Sequence, residues 1–172
     1  MNYLKTEIAG KPLATMSIGC MRWEGREQAA QAICECVAND VLYLDTSPMY
    51  CFRTEEENSE RWVGHAIKEN KLRDKVILST KCSPGNGGNG IGEFNQANGF
   101  SIQTADQFRS TFEQSLNRLQ TDKLDCYQMW TVSTDEVYES AFKKCGWLEG
   151  AMKAKDEGLF KHLESPDTPN PR

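Results

Sequence analysis

Histidine is scarce in this chain: two residues in 172, His65 and His162, stand far apart with no partner at metal-ligand spacing. Long apolar runs are missing as well. No stretch approaches the roughly 20 apolar residues of a membrane span. The opening segment, MNYLKTEIAGKPLA, is broken by Lys5, Glu7 and Lys11, which excludes the apolar core of a signal peptide. Cytoplasmic residence is the resulting expectation. Blocks of one charge are also absent, because 25 acidic and 20 basic residues are interspersed to a formal net charge of -5. Neither nucleic acid nor an anionic membrane is therefore an expected partner. No C-x-x-C occurs, and seven cysteines are an odd number in a chain larger than the small secreted scaffolds that depend on disulfides. Reduced thiols follow. Cys34 and Cys36 lie two apart in a helical stretch, where their side chains diverge, so no metal site is expected.

What is present suffices for one domain with a real core: 38% hydrophobic and 26% charged residues over the whole length. Strand-like and helix-like segments alternate along it. A hairpin turns at Ala9-Gly10-Lys11, and a strand from Thr15 to Ile18 runs into Gly19-Cys20-Met21-Arg22. REQAAQAICECVAND follows, a helix with an apolar face of Ala30, Ile33, Cys34 and Val37. The four apolar residues Val41 to Leu44 read as a strand buried on both faces, stopping at Asp45. After Ser59 comes a helix marked by Trp62, Val63, Ala66 and Ile67, then a strand over Lys75 to Lys81 and a Gly- and Asn-rich loop from Ser83 to Gln103. Thr104 and Gln107 form a capping box for a helix with the face Phe108, Phe112, Leu116 and Leu119. A fourth strand covers Leu124 to Trp130. One broken or two short helices span Val137 to Glu157, closed by Gly158, and a fifth strand begins at Leu159 to Leu163.

Repeated β-α units require parallel strands joined by right-handed crossovers, which puts every strand C-terminus on one side. Asp45, Lys81 and Trp130 each end a predicted strand, so a carboxylate, an ammonium and an indole gather at one rim, with the phenol of Tyr50 close by. A lone Asp before Ser47-Pro48 would simply cap a turn. Convergence of the other groups favours an ion pair beside a proton donor instead. The hexapeptide Gly85 to Gly90 fits G-x-G-x-x-G, but no helix opens at its last glycine, and a phosphate site of that kind needs the helix N-terminus.

Gly19-Cys20-Met21-Arg22, LDTSPMY, SER-x-VG around Ser59 to Gly64, RDKVILSTK and SLNRLQTDKLDCYQ together resemble the aldo-keto reductases, in order and at plausible spacing, over residues 1 to about 163. The resemblance implies an α/β fold, a partial (β/α)8 TIM barrel made of the first four to five β-α units with an N-terminal β-hairpin. Residues 1–163 would be the N-terminal half of that barrel and 164–172 a disordered or divergent tail. It further implies NADPH-dependent reduction of an aldehyde or ketone, a small-molecule carbonyl substrate, to an alcohol. Matching motifs place Asp45, Tyr50 and Lys81 at catalytic positions and Gly19, Met21, Arg22 and Asp45 against the cofactor. Trp130 stands where the family presents a His; an indole donates one hydrogen bond but accepts no proton.

The implied chemistry accounts for the residue types. Hydride delivered to a carbonyl carbon leaves an alkoxide in need of a proton, and an ordinary phenol gives one poorly near neutral pH. A Lys81 cation would lower the pKa of Tyr50, and Asp45 would hold that cation. A barrel of this type takes about 250 residues. Half of one would leave two sheet edges and inward-facing apolar side chains exposed, which predicts a homodimer through the open edge, or aggregation. The alternative function is a catalytically inactive truncated relative acting as a binding or regulatory module, or a non-functional fragment.

Overall fold

The computed structural model describes residues 6–84, 101–102, 104–130, 135, 139 and 146–164. The glycine-rich hexapeptide at 85–90, most of the predicted loop at 83–103, residues 137–145 apart from Glu139, and the tail at 165–172 lie outside the described residues. The chain opens with strands β1 (Thr6–Ile8) and β2 (Lys11–Leu13), paired antiparallel with Ile8 opposite Lys11. Two turn residues join them, Ala9 at φ 57° and Gly10 at φ 77°. Positive φ at both central positions is what a tight two-residue hairpin demands; glycine meets it without steric cost.

The remaining order is β3 (Ser17–Gly19), α1 (Arg26–Ala38), β4 (Tyr43–Asp45), α2 (Ser59–Glu69), β5 (Ile77–Pro84), β6 (Ser101–Ile102), α3 (Ala105–Leu119), β7 (Cys126–Met129), α4 (Trp147–Asp156) and β8 (His162–Glu164). The sheet runs β3-β4-β5-β7-β8, all parallel, with β6 added to β5. Neighbouring long strands are thus also neighbours in sequence, as serial β-α units dictate. Among the described residues no helix is long and apolar enough to cross a membrane.

Strand alternation divides the sheet into two faces. Ile18, Leu44, Leu78, Cys82, Tyr127 and Met129 join the main core, which includes Val63, Ile67, Phe108, Phe112 and Trp147 from the helices. The opposite face carries a small cluster of Tyr43, Ile77 and Cys126, packed against Ile8 and Leu13 of the hairpin. Most other residues on that face are polar: Ser17, Asp45, Ser79, Lys81, Gln128, His162 and Glu164 share it by register.

The predicted elements shift in instructive ways. β5 continues to Pro84, because β7 pairs with it as far as Cys82 and β6 pairs with Ser83 and Pro84, so Lys81 lies inside the strand and does not end it. α1 buries Ala29 and Ile33, leaving Ala30, Cys34 and Val37 only partly covered. α3 buries Thr111, Ser115 and Arg118 beside Phe108, Phe112 and Leu119, while Leu116 is half-buried. An ion pair explains the polar share: Arg118 Nε donates to Glu60 Oε2 of α2 at 2.6 Å, and both side chains are at most 1% exposed. α2 and α3 touch backbone to side at Gly64, where a Cβ would stand 2.6 Å from the carbonyl oxygen of Arg118. The Thr104–Gln107 capping box forms as read, at 3.1 and 3.2 Å. Asn58 caps α2 through an acceptor bond from the Arg61 N–H at 3.0 Å.

Candidate active site

The stretch after β4 shows which residue does the turn capping. The Thr46 N–H bonds to the carbonyl of Ser79 (3.0 Å), the Met49 N–H to Ser47 Oγ (3.2 Å) and the Tyr50 N–H to the carbonyl of Ser47 (3.1 Å). Ser47 therefore supplies the turn's acceptors. The carboxylate of Asp45 goes elsewhere: its Oδ1 accepts from Lys81 Nζ at 2.5 Å. The Lys81 side chain is 4% exposed and that of Asp45 26%. Lys81 lies two residues past Ser79, the register partner of Asp45, so strand alternation puts both side chains on the concave face.

Burial holds the Asp45 carboxyl above its ordinary value, Lys81 pulls it back by charge and hydrogen bond, and Glu164 adds repulsion that raises it again. Tyr50 completes the group from the turn. Lys81 Nζ stands 4.9 Å from the centroid of its ring, a cation over an aromatic face. The Trp130 ring meets Tyr50 edge-on, 6.3 Å between centroids at 80°. Trp130 follows β7 directly and continues its ladder, its N–H bonding the Cys82 carbonyl at 2.9 Å. Asp45, Tyr50, Lys81 and Trp130 are thus brought together from four chain segments.

Gly19 ends β3 opposite Asp45, and the Cys20 N–H bonds the Asp45 carbonyl at 2.8 Å. A Cβ on Gly19 would meet no atom within 4 Å, so the rim beside Asp45 is open. Met21, 41% exposed, and Arg22, also exposed, extend outward from it.

Sequence reasoning missed a second polar group on the same face. The Tyr43 hydroxyl donates to Glu164 Oε2 (3.0 Å), and Gln128 Nε2 donates both to that oxygen (3.0 Å) and to Tyr43 Oη (3.2 Å). Burial, with Glu164 beside it, drives the Tyr43 phenol well above its ordinary value. A signal existed: Tyr43 and Gln128 stand two residues before Asp45 and Trp130, hence on the same face. Ser79 is fully buried on that face. The arrangement can hold a buried positive charge against a phenol beside an open rim, which is equipment for delivering a proton.

Comparison with known proteins fits this geometry. The family model described as the aldo/keto reductase family matches residues 15–163. The chain is 36% identical over 132 residues to aldo-keto reductase YhdN of Bacillus subtilis, an alignment covering 75% of this chain and 36% of that protein. It is 27% identical over 137 residues to Protein tas of Escherichia coli, covering 75% and 38%. Among solved structures, an aldo-keto reductase from Klebsiella pneumoniae in complex with NADPH superposes with a TM-score of 0.67 at 21% identity, over 98% of this chain and 51% of that one. The holo form of an aldo-keto reductase from Bacillus halodurans gives 0.66 at 21%, over 96% and 51%. The fold is accordingly part of a (β/α)8 barrel, and the chain spans between about a third and about half of the length of these proteins.

Proposed function

This chain belongs to the aldo/keto reductase family, and on that premise we propose that it reduces an aldehyde or ketone to an alcohol with NADPH. The observation carrying this reading is the convergence of Asp45, Lys81 and Tyr50, with the buried cation 2.5 Å from the carboxylate and 4.9 Å from the phenol ring. Bound NADPH would supply hydride to the carbonyl carbon. The residues present fit its nicotinamide end: an open rim at Gly19, the exposed Met21 and Arg22, and the partly accessible Asp45. Gly19, Met21, Arg22 and Asp45 would hold it there.

The chain's own residues do the rest. Tyr50 gives its phenolic proton to the alkoxide oxygen, Lys81 favours the phenolate left behind, and Asp45 keeps Lys81 in place. Trp130, edge-on to Tyr50, positions the carbonyl group by its indole and by packing. The substrate is a small carbonyl compound. The same reading places the chain in the cytoplasm, in keeping with six described cysteines that are all free.

A second reading, a catalytically inactive relative kept as a binding or regulatory module, is favoured by Trp130, whose indole accepts no proton. One experiment separates the two: titrate the 172-residue chain with NADPH by nucleotide fluorescence, and follow NADPH consumption with 4-nitrobenzaldehyde. Binding with turnover supports the reductase. Binding without turnover supports the module, and neither refutes both.

A further inference from the structure

Four segments of the proposed site are tied together at one buried dipeptide, Ser59-Glu60, the first two residues of α2. Ser59 Oγ donates to the carbonyl of Cys20 at 2.6 Å. That uses its single hydrogen, so in the 2.8 Å contact between Thr46 Oγ1 and Ser59 Oγ the threonine is the donor. The backbone N–H of Ser59 donates to the carbonyl of Tyr50 at 2.9 Å. Cys20 in turn donates its N–H to the Asp45 carbonyl at 2.8 Å, which closes a ring of bonds through the loop at Gly19-Cys20, the end of β4 and the start of α2. Glu60 extends the tie to the last segment: its Oε1 accepts from Thr80 Oγ1 at 2.6 Å, directly beside Lys81, and Arg118 satisfies its other oxygen. Thr46, Ser59, Glu60 and Thr80 are all fully buried.

We infer that Ser59 is a positioning residue for the reaction, setting the loop at Gly19 to Arg22, the carboxylate strand end and the Tyr50 turn relative to one another. The inference rests on the proposed reductase reading, yet the geometry assigns Ser59 no contact with substrate or cofactor. Packing alone does not call for this arrangement. An alanine would fill nearly the same volume, but it would leave the Cys20 carbonyl and the Thr46 hydroxyl buried without their partner. Two chain segments, the loop at Cys20 and the end of β4, would then lose their side-chain tie to α2, while the Tyr50 turn keeps its backbone bond to residue 59, at the place where misplacement costs most.

The test compares wild type with Ser59→Ala, and with Thr46→Val and Thr46→Ser as the isosteric deletion and the conservative rescue. Amide hydrogen exchange is read by mass spectrometry at residues 19–22 and 46–52 and, as internal reference, across α3. Turnover is read with NADPH and 4-nitrobenzaldehyde. Expected for Ser59→Ala and Thr46→Val is faster exchange confined to 19–22 and 46–52, with kcat falling about tenfold or more and KM changing less, and with Thr46→Ser close to wild type. A uniform rise in exchange that includes α3, or no rise at 19–22 and 46–52, overturns the inference. Loss of the cooperative melt in both deletions also overturns it, because Ser59 would then be a determinant of the fold. If wild type shows no turnover, the reductase reading fails by itself and the exchange pattern still decides the role of Ser59.

Discussion

Replacing Lys81 with Met leaves an unbranched side chain of similar volume, one atom shorter, and deletes the charge together with the Nζ that faces the Tyr50 ring. Breaking a fully buried ion pair costs about 3–5 kcal/mol, mainly because the surviving charge is stranded. Here the survivor is Asp45, which is 26% exposed and can neutralise itself by taking a proton. The cost near neutral pH is accordingly about 1–2 kcal/mol, not the full figure. The pH dependence carries the sharper signature. Burial already holds the Asp45 carboxyl above its ordinary value against the pull of Lys81, so without Lys81 it rises further. A folded-state pKa raised above that of the unfolded chain means the folded protein binds the proton more tightly. Stability is then fullest in acid and declines as pH rises through the window between the ordinary and the raised value. The gap between wild type and variant should be near zero in acid and widen toward neutrality by at most about 1.4 kcal/mol per pH unit. Urea unfolding followed by tryptophan fluorescence from acid to neutral pH measures it. NADPH consumption with 4-nitrobenzaldehyde should fall about a hundredfold or more in the same variant. A stability gap that does not change with pH would show that Asp45 is not coupled to Lys81, and near-full turnover would show that Tyr50 does not depend on the cation.

Asp125, 4% exposed at its side chain, accepts from Lys11 (3.0 Å), Arg73 (2.8 Å) and the Leu78 N–H (3.0 Å). Burial tends to raise its carboxyl, but the Leu78 bond and the two cations outweigh it and hold it below the ordinary value. Its stabilisation is therefore complete above that value and lost as pH falls through the lowered one. Asp125→Asn should cost about 3 kcal/mol near neutrality, with a gap that closes in acid; an unchanged gap in urea melts at low pH argues against this. Gly64→Ala sets a Cβ 2.6 Å from the Arg118 carbonyl oxygen and should cost about 3 kcal/mol or more, since two helix backbones must part; a thermal melt within two degrees of wild type would refute the close approach. We expect concentration-dependent pairing of two copies through β3 and β8, the outermost strands of the sheet, and light scattering that reports a monomer at every concentration would exclude it.

The fold was legible because its signals are local. The hairpin turn, the Thr104–Gln107 box and the apolar stripe of α2 each depend on residues within a few positions of one another, and all three form. Errors arose where a partner from elsewhere decides. The end of β5 is set by β6 and β7, not by the charge on Lys81. The burial of Arg118 in α3 is decided by Glu60, 58 positions earlier. Likewise Asp45 and Lys81, with a sequence separation of 36, meet because neighbouring parallel strands in register put both side chains on one face.

The concave face shows where such reasoning stops and what the missing information changes. Parity alone places Tyr43 below Asp45 and Gln128 below Trp130. It says nothing of the bond between Tyr43 and Glu164, which lie 121 positions apart on strands separated by β5 and β7. That bond requires the sheet to curl until β4 and β8 face each other, and curvature comes from strand twist summed over the whole sheet. The expectation that an open half barrel exposes apolar side chains overlooked this and overlooked the hairpin. Ile8 and Leu13 cover the apolar cluster of Tyr43, Ile77 and Cys126, while Tyr43, Gln128 and Glu164 satisfy one another beyond it. Among the described residues the large exposed hydrophobics are Met16, Met21 and Met152, and none of them lies within a strand. Any pairing of copies must then draw on backbone groups at the strand edges more than on buried apolar area. Such pairing is weaker than one built on buried apolar area.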